Sequence, residues 1–234
     1  MEYIVVIIIC ILSVLILSII YEFKPSYIKK LKSLGFSEEM NEITNKLPEN
    51  KEICEDILTM LDNEKNVKIV EDKNAKASLY IVATNTISIA NIKDSCTRIQ
   101  TTAHECIHSI QNKKILLFNF IYSNIYIMYF ITICVLTFFN KIQNQMLQVY
   151  ILTLLSFIYY KVRSFLETDA MIRAPYLANE YMIKSTNLEK DEIEKIMNSY
   201  SKINNIGIKM VNLQFFAKCI VKIIIYCCIC LICT

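Results

Sequence analysis

The sequence predicts a mainly α-helical, multi-pass membrane protein with about four transmembrane helices and one small α+β unit outside the lipid. Three observations carry this. Hydrophobic residues make up 54% of the 234, and the mean hydropathy of +0.38 is high for a soluble chain. The apolar residues gather in four blocks, each near the roughly 20 residues that cross a hydrocarbon core. The segments between the blocks are rich in both signs of charge.

The first block, 3–21, carries no charge. Only Met1 and Glu2 precede it, and Tyr21, Glu22 and Phe23 stand where a small-residue cleavage site would be, so it is expected to stay as an anchor. The second block, 115–139, is also uncharged. The third is shorter and spans if 143–162 is counted with its polar ends. The fourth, 215–233, spans if Lys218 and Lys222 snorkel toward an interface. The expected division is therefore an anchor at 1–21, an α+β domain at 22–114, a transmembrane hairpin at 115–162, further helices at 163–212 and a last transmembrane helix at 213–234.

Fourteen of the 25 basic residues lie in 22–114 and eight in 161–212. The positive-inside rule places both connections in the cytoplasm and both chain ends outside, in a cell membrane. The same two segments hold 14 and seven acidic residues, which speaks against nucleic acid and for a solvated mixed surface. The lipid bilayer is the one partner composition alone implies. The ten cysteines do not form a secreted disulfide framework, because several lie inside apolar blocks. Cys227, Cys228, Cys230 and Cys233 read as small apolar packing residues of the last helix.

Within 22–114, Ser37 followed by acids starts a helix and Pro48 interrupts. Ile53, Ile57, Leu58 and Leu61 then recur at helical spacing over 49–64. NVKIVED and ASLYIVATNTISIANI read as strands, with Ile87, Ile89 and Asn91 on one side. Asp94 or Ser95 is placed to cap the next helix.

That helix carries HECIH, and with it both histidines of the chain. His104 and His108 are four apart, so they share one helix face and can bind one zinc ion at about 2.0–2.1 Å each. Glu105 points to one side of the pair, placed as general base for water that such an ion activates toward a carbonyl. Cys106 faces away and reads as buried packing. A catalytic zinc site takes three protein ligands. No third histidine exists, so a carboxylate or a cysteine must complete it. Glu167 is the leading choice: two membrane helices and a short connection separate it from His108, and a hairpin of that shape returns the chain to its starting side, with both residues within about 10 Å of the same membrane surface. Glu180 is the rival, set back by Pro175, which is expected to break the helix. Asp169 and Arg173 read either as a surface ion pair or, for Asp169, as the acceptor behind a ligand imidazole. Tyr176 and Tyr181 are candidate donors to a developing oxyanion. The strand at 86–92 is a candidate edge for pairing a substrate segment, or else an ordinary core strand.

These motifs resemble a known family. AHECIHSIQ, 103–111, resembles the AHExGHAIQ segment of the YugP-like bacterial membrane zinc metallopeptidases, and ETDAMIRA, 167–174, is similar to their E-x-D-A-S-x-R-A segment. The order of anchor, small domain, zinc helix, membrane hairpin and second motif also matches. The resemblance implies a gluzincin-type zinc metallopeptidase, related in plan to the HtpX and CAAX-prenyl proteases, with one zinc ion per chain on His104, His108 and Glu167 and with Glu105 as base. Its substrate would be a protein or peptide, expected to be membrane-associated, and its active site would face the cytoplasm. The chain departs from the pattern at Ile107 for Gly, Ser109 for Ala, Met171 for Ser, and Pro175. Isoleucine at 107 is expected to push the ligand helix outward. Two other readings are a zinc-binding membrane scaffold without catalysis and a transporter. Glu105 argues against the first, and the few polar residues in the apolar blocks argue against the second.

Overall fold

The structure is a computed structural model that describes residues 1–72, 74–75, 77–90, 94–185 and 187–233. In chain order its elements are α1 (Glu2–Ile20), α2 (Ser26–Gly35), α3 (Glu38–Thr44), α4 (Asn50–Met60), β1 (Lys68–Asp72), β2 (Leu79–Ile81), β3 (Thr86–Ala90), α5 (Arg98–Ile110), α6 (Lys113–Phe138), α7 (Gln145–Ser185) and α8 (Lys190–Cys233). It divides into two units. The first holds residues 1–23, 117–165 and 209–234, the second residues 24–116 and 166–208.

Four helices, α1, α6, α7 and α8, are long and apolar enough to cross a membrane. In the first unit they are apolar on both faces. Cys10, Tyr126, Leu152, Ile223 and Tyr226 form the inner cluster, while Ile8, Leu12, Ile125, Met128, Leu154 and Phe157 are exposed. A helix that is hydrophobic all round suits a lipid environment. Buried hydroxyls there are paired: Tyr126 and Ser156 share a hydrogen bond of 2.7 Å, and Thr137 and Tyr226 one of 3.1 Å. Asn140, at φ 54°, ends the α6 segment in the left-handed region that asparagine tolerates. All ten cysteines are free thiols.

The second unit is built around a three-stranded sheet in the order β1-β3-β2, with β1 parallel and β2 antiparallel to β3. The strand expected as a substrate edge is therefore the central one. β3 is hydrogen-bonded on both sides, and Ile87 and Ile89 are fully buried. The alternation of Ile87 and Ile89 marks a core face but says nothing of which neighbours flank a strand. Asn91 and Ile92, the end of that expected strand, lie outside the described residues.

Ile53, Ile57 and Leu58 of α4, with Ile99, Ala103 and Cys106 of α5, are buried at this core, and Cys54 Sγ lies 3.7 Å from Cys106 Sγ. Burial pushes the Cys106 thiol well up, as for an inert packing residue. The helix expected over 49–64 ends at Met60. The expected cap of α5 is displaced as well. Its N-cap is Thr97, without a side-chain cap bond, and Ser95 Oγ instead accepts the Thr97 N–H at 3.3 Å. Arg98 at the start of α5 is buried, and it donates to Thr44 O, Leu47 O, Pro48 O and Asn50 Oδ1 at 2.5–2.9 Å. Bonds to a charged donor contribute about 1.5–3 kcal/mol each, so this one side chain fixes where α5 begins against the α3–α4 connection.

Pro175 does not break its helix. α7 runs unbroken from Gln145 to Ser185 with Pro175 inside. Proline removes one backbone donor there, but the buried stripe of Leu166, Ala170, Ala174, Leu177, Ala178 and Met182 continues across it at helical spacing. Packing on both sides of the proline outweighs the lost bond.

Candidate metal centre

α5 is amphipathic, lacks glycine and proline, and sets His104 and His108 one turn apart. Their rings meet edge to face, with Nε2 atoms 3.1 Å apart. Glu167, on α7, brings Oε2 to 3.4 Å from His104 Nε2 and 3.7 Å from His108 Nε2. Ligand atoms of all three residues lie within 4.8 Å of one another. Nitrogen and oxygen donors about 2.0–2.1 Å from a zinc ion in tetrahedral geometry stand about 3.3 Å apart, so the set fits a small tetrahedral cation. The side chains of His104 and Glu167 are 18% and 15% exposed, so the cluster is partly accessible to water.

Gln111 decides which imidazole nitrogen of His108 is free. Its Nε2 donates to Leu166 O at 2.9 Å and to Asp169 Oδ2 at 2.7 Å, so its Oε1 is the atom that faces His108 Nδ1 at 2.8 Å. An amide oxygen only accepts, so Nδ1 carries the proton and the Nε2 lone pair is left toward His104 and Glu167. Burial pulls the His108 imidazole down. The Glu167 carboxylate beside it, with Glu105 and Gln111 behind, more than reverses this, and the net direction is up.

Glu105 is 6% exposed, and its Oε2 accepts the Tyr80 N–H at 2.6 Å. Tyr80 pairs with Ile87 of β3, and turns this N–H away from β3, toward α5. Burial pushes the Glu105 carboxyl up; His104, His108 and the Tyr80 N–H oppose that without cancelling it. Ile107 points into the core beside the ligand pair. It is itself buried, at 3% exposure, and the two imidazoles converge all the same.

The other candidates stand elsewhere. Asp169 is not the direct acceptor of an imidazole proton: Gln111 holds that position, and Asp169 accepts from Gln111. Arg173 is exposed and lies 3.5 Å from Asp169, an i,i+4 pair worth a few tenths of a kcal/mol at most, as ~0.2–0.5. Glu180 is exposed and pairs with Lys184 at 2.8 Å, about 20 Å of helix beyond Glu167. Tyr176 is 73% exposed. It follows Glu167 by nine residues, which turns it to the opposite side of α7. Tyr181 is buried about 21 Å of helix beyond Glu167. Gln111 is the residue whose role sequence reasoning passed over, although it closes the AHECIHSIQ segment. The available signal was its spacing, three positions after His108.

Loss of the Gln111 clasp has a measurable consequence. Gln111→Leu frees the His108 ring and unties it from α7, and the expected result is a zinc affinity reduced by about 10–100-fold, read by competition with a chromogenic chelator. Asp169→Asn keeps an acceptor for the Gln111 amide and is expected to change affinity less.

Compared with protein-family models, curated proteins and solved structures, the chain matches none.

Proposed function

We propose that the protein is a membrane-embedded zinc-dependent endopeptidase, with one zinc ion per chain and its active site on the cytoplasmic side. The observation that carries this is the meeting of His104 Nε2, His108 Nε2 and Glu167 Oε2 beside a buried carboxylate, Glu105. Three protein ligands is the number catalytic zinc sites use, whereas structural sites close with four. The resemblance of 103–111 and 167–174 to the YugP-like metallopeptidase motifs supports the same reading, and the four apolar helices support the membrane setting. The concentration of Lys and Arg in 22–114 and 161–212, 22 of the 25, supports the cytoplasmic side.

A zinc ion held there supplies Lewis-acid activation of water and of the peptide carbonyl. The protein supplies the rest. Gln111 holds His108 in the tautomer that presents Nε2. The Tyr80 N–H holds Glu105 through Oε2, so Oε1 is the oxygen that takes the proton of the attacking water and returns it to the leaving amine. β3 being central, the edges of the sheet are β1 and β2; β2 lies beside α5, where Glu105 already takes the Tyr80 N–H, and we place an extended substrate along the remainder of the β2 edge.

The purified full chain in detergent is expected to contain one zinc ion by elemental analysis. It should lose peptide hydrolysis on chelation and recover it when zinc is restored. No zinc after gentle purification and reconstitution would overturn the reading.

A further inference from the structure

The second unit contains a cavity of about 370 Å³ whose walls include Thr101, Met171, Ser78, Phe36, Ile203 and Gly207. Three of the elements that make the metal centre lead into it. On α5, Thr101 is one turn before His104. On α7, Met171 is one turn after Glu167. On the β2 side, Ser78 is two residues before Tyr80, whose N–H meets Glu105, a distance of about 7 Å along an extended chain. The two helix steps are about 4.5 Å and about 6 Å along their axes. Walls of the cavity therefore stand one helix turn from His104 and from Glu167, and two strand residues from the Tyr80 N–H that holds Glu105.

Its walls are mostly apolar, and their polar members are uncharged but for Arg98. The two terminal nitrogens of Arg98 donate to four carbonyl and amide oxygens, and its buried Nε has no hydrogen-bond partner among the described residues. Gly207 shapes one wall: a Cβ there would come within 3.0 Å of Met171 Cε, so glycine lets α8 approach α7 at this point. The volume lies at the lower end of the roughly 300–1,000 Å³ of small-molecule sites, enough for one large side chain and part of its neighbour.

We propose that this cavity is the specificity pocket of the endopeptidase and takes a large, uncharged substrate side chain, aromatic or long aliphatic, next to the scissile bond. The proposal rests on the endopeptidase reading. A peptide library cleaved by the zinc-loaded full chain in detergent is expected to show one position beside the cut where bulky uncharged residues are favoured. Filling the cavity with Ile203→Phe should move that position to Gly, Ala or Ser by about tenfold or more, with zinc content and cleavage of small-residue peptides kept. Thr101→Phe fills the exposed mouth and carries the same expectation if Ile203→Phe fails to fold. An unchanged profile in a folded filled variant, or a preference for charged residues at that position, overturns the pocket assignment and leaves the endopeptidase reading standing.

A binding measurement separates the two. Zinc-loaded Glu105→Gln is photolysed with a peptide carrying benzoylphenylalanine, and the adducts are mapped by mass spectrometry. Adducts on Met171 and Ile203, with the Met171 adduct lost in Met171→Leu, support the pocket even if no peptide is ever cleaved. Adducts confined to other surfaces overturn it.

Discussion

Glu167→Ala is expected to abolish stoichiometric zinc binding while leaving the chain folded. Glu167 is the only carboxylate among the described residues that groups with both histidines. Without it the pair can offer only two imidazoles, fewer than the three protein ligands of catalytic zinc sites. The loss should exceed the roughly 10–100-fold that removing a hydrogen-bond partner behind a ligand costs. Folding should survive, because α7 is held by Ala170, Ala174 and Ala178, each at most 1% exposed, rather than by the partly exposed carboxylate. Removing Glu167 also relieves His104 and His108 of an anionic neighbour without burying anything new. The matched control is Glu180→Ala, which breaks only an exposed pair with Lys184 and should keep one zinc per chain. Zinc retained in Glu167→Ala and lost in Glu180→Ala would reverse the assignment of the third ligand.

Much of this arrangement was legible along the chain, and what was not has identifiable causes. Block length and charge alone marked four apolar helices, because lipid imposes length as a one-dimensional constraint. The pairing of His104 with His108 followed from helix period, and the approach of Glu167 followed from the return of a hairpin. Both are local or topological facts. Strand order is neither. Ile87 and Ile89 mark a buried face, yet only the tertiary pairing makes β3 central and leaves β1 and β2 as the edges. Pro175 misled for a related reason: the local cost of a proline is visible in sequence, and the packing of Ala174, Leu177 and Ala178 that offsets it is not. Gln111 and Asp169 show the limit at side-chain level. A carboxylate looked like the natural partner of an imidazole, but the amide of Gln111 can accept from His108 and donate to Asp169 at once, and so takes the intermediate place.

Glu105→Gln separates metal binding from chemistry. The expected result is a full complement of zinc with peptide hydrolysis reduced by about 10²–10⁴-fold. The amide is nearly the shape of the carboxyl, and its oxygen can still accept the Tyr80 N–H that Glu105 Oε2 accepts at 2.6 Å. What the amide cannot do at neutral pH is take a proton. The loss should therefore appear in kcat, with KM little changed, since the side chain is assigned to moving a proton and not to holding substrate. Stability should not fall. Glu105 is 90% or more buried, and burial is the largest influence on its carboxyl, acting against the charged form. A neutral side chain of the same volume removes that cost while keeping the bond to β2. A melting temperature equal to or above that of the parent, with zinc bound and turnover gone, fits a base. A melting temperature well below it, or zinc lost along with turnover, would instead make Glu105 a structural brace between α5 and β2, and the proton would need another carrier.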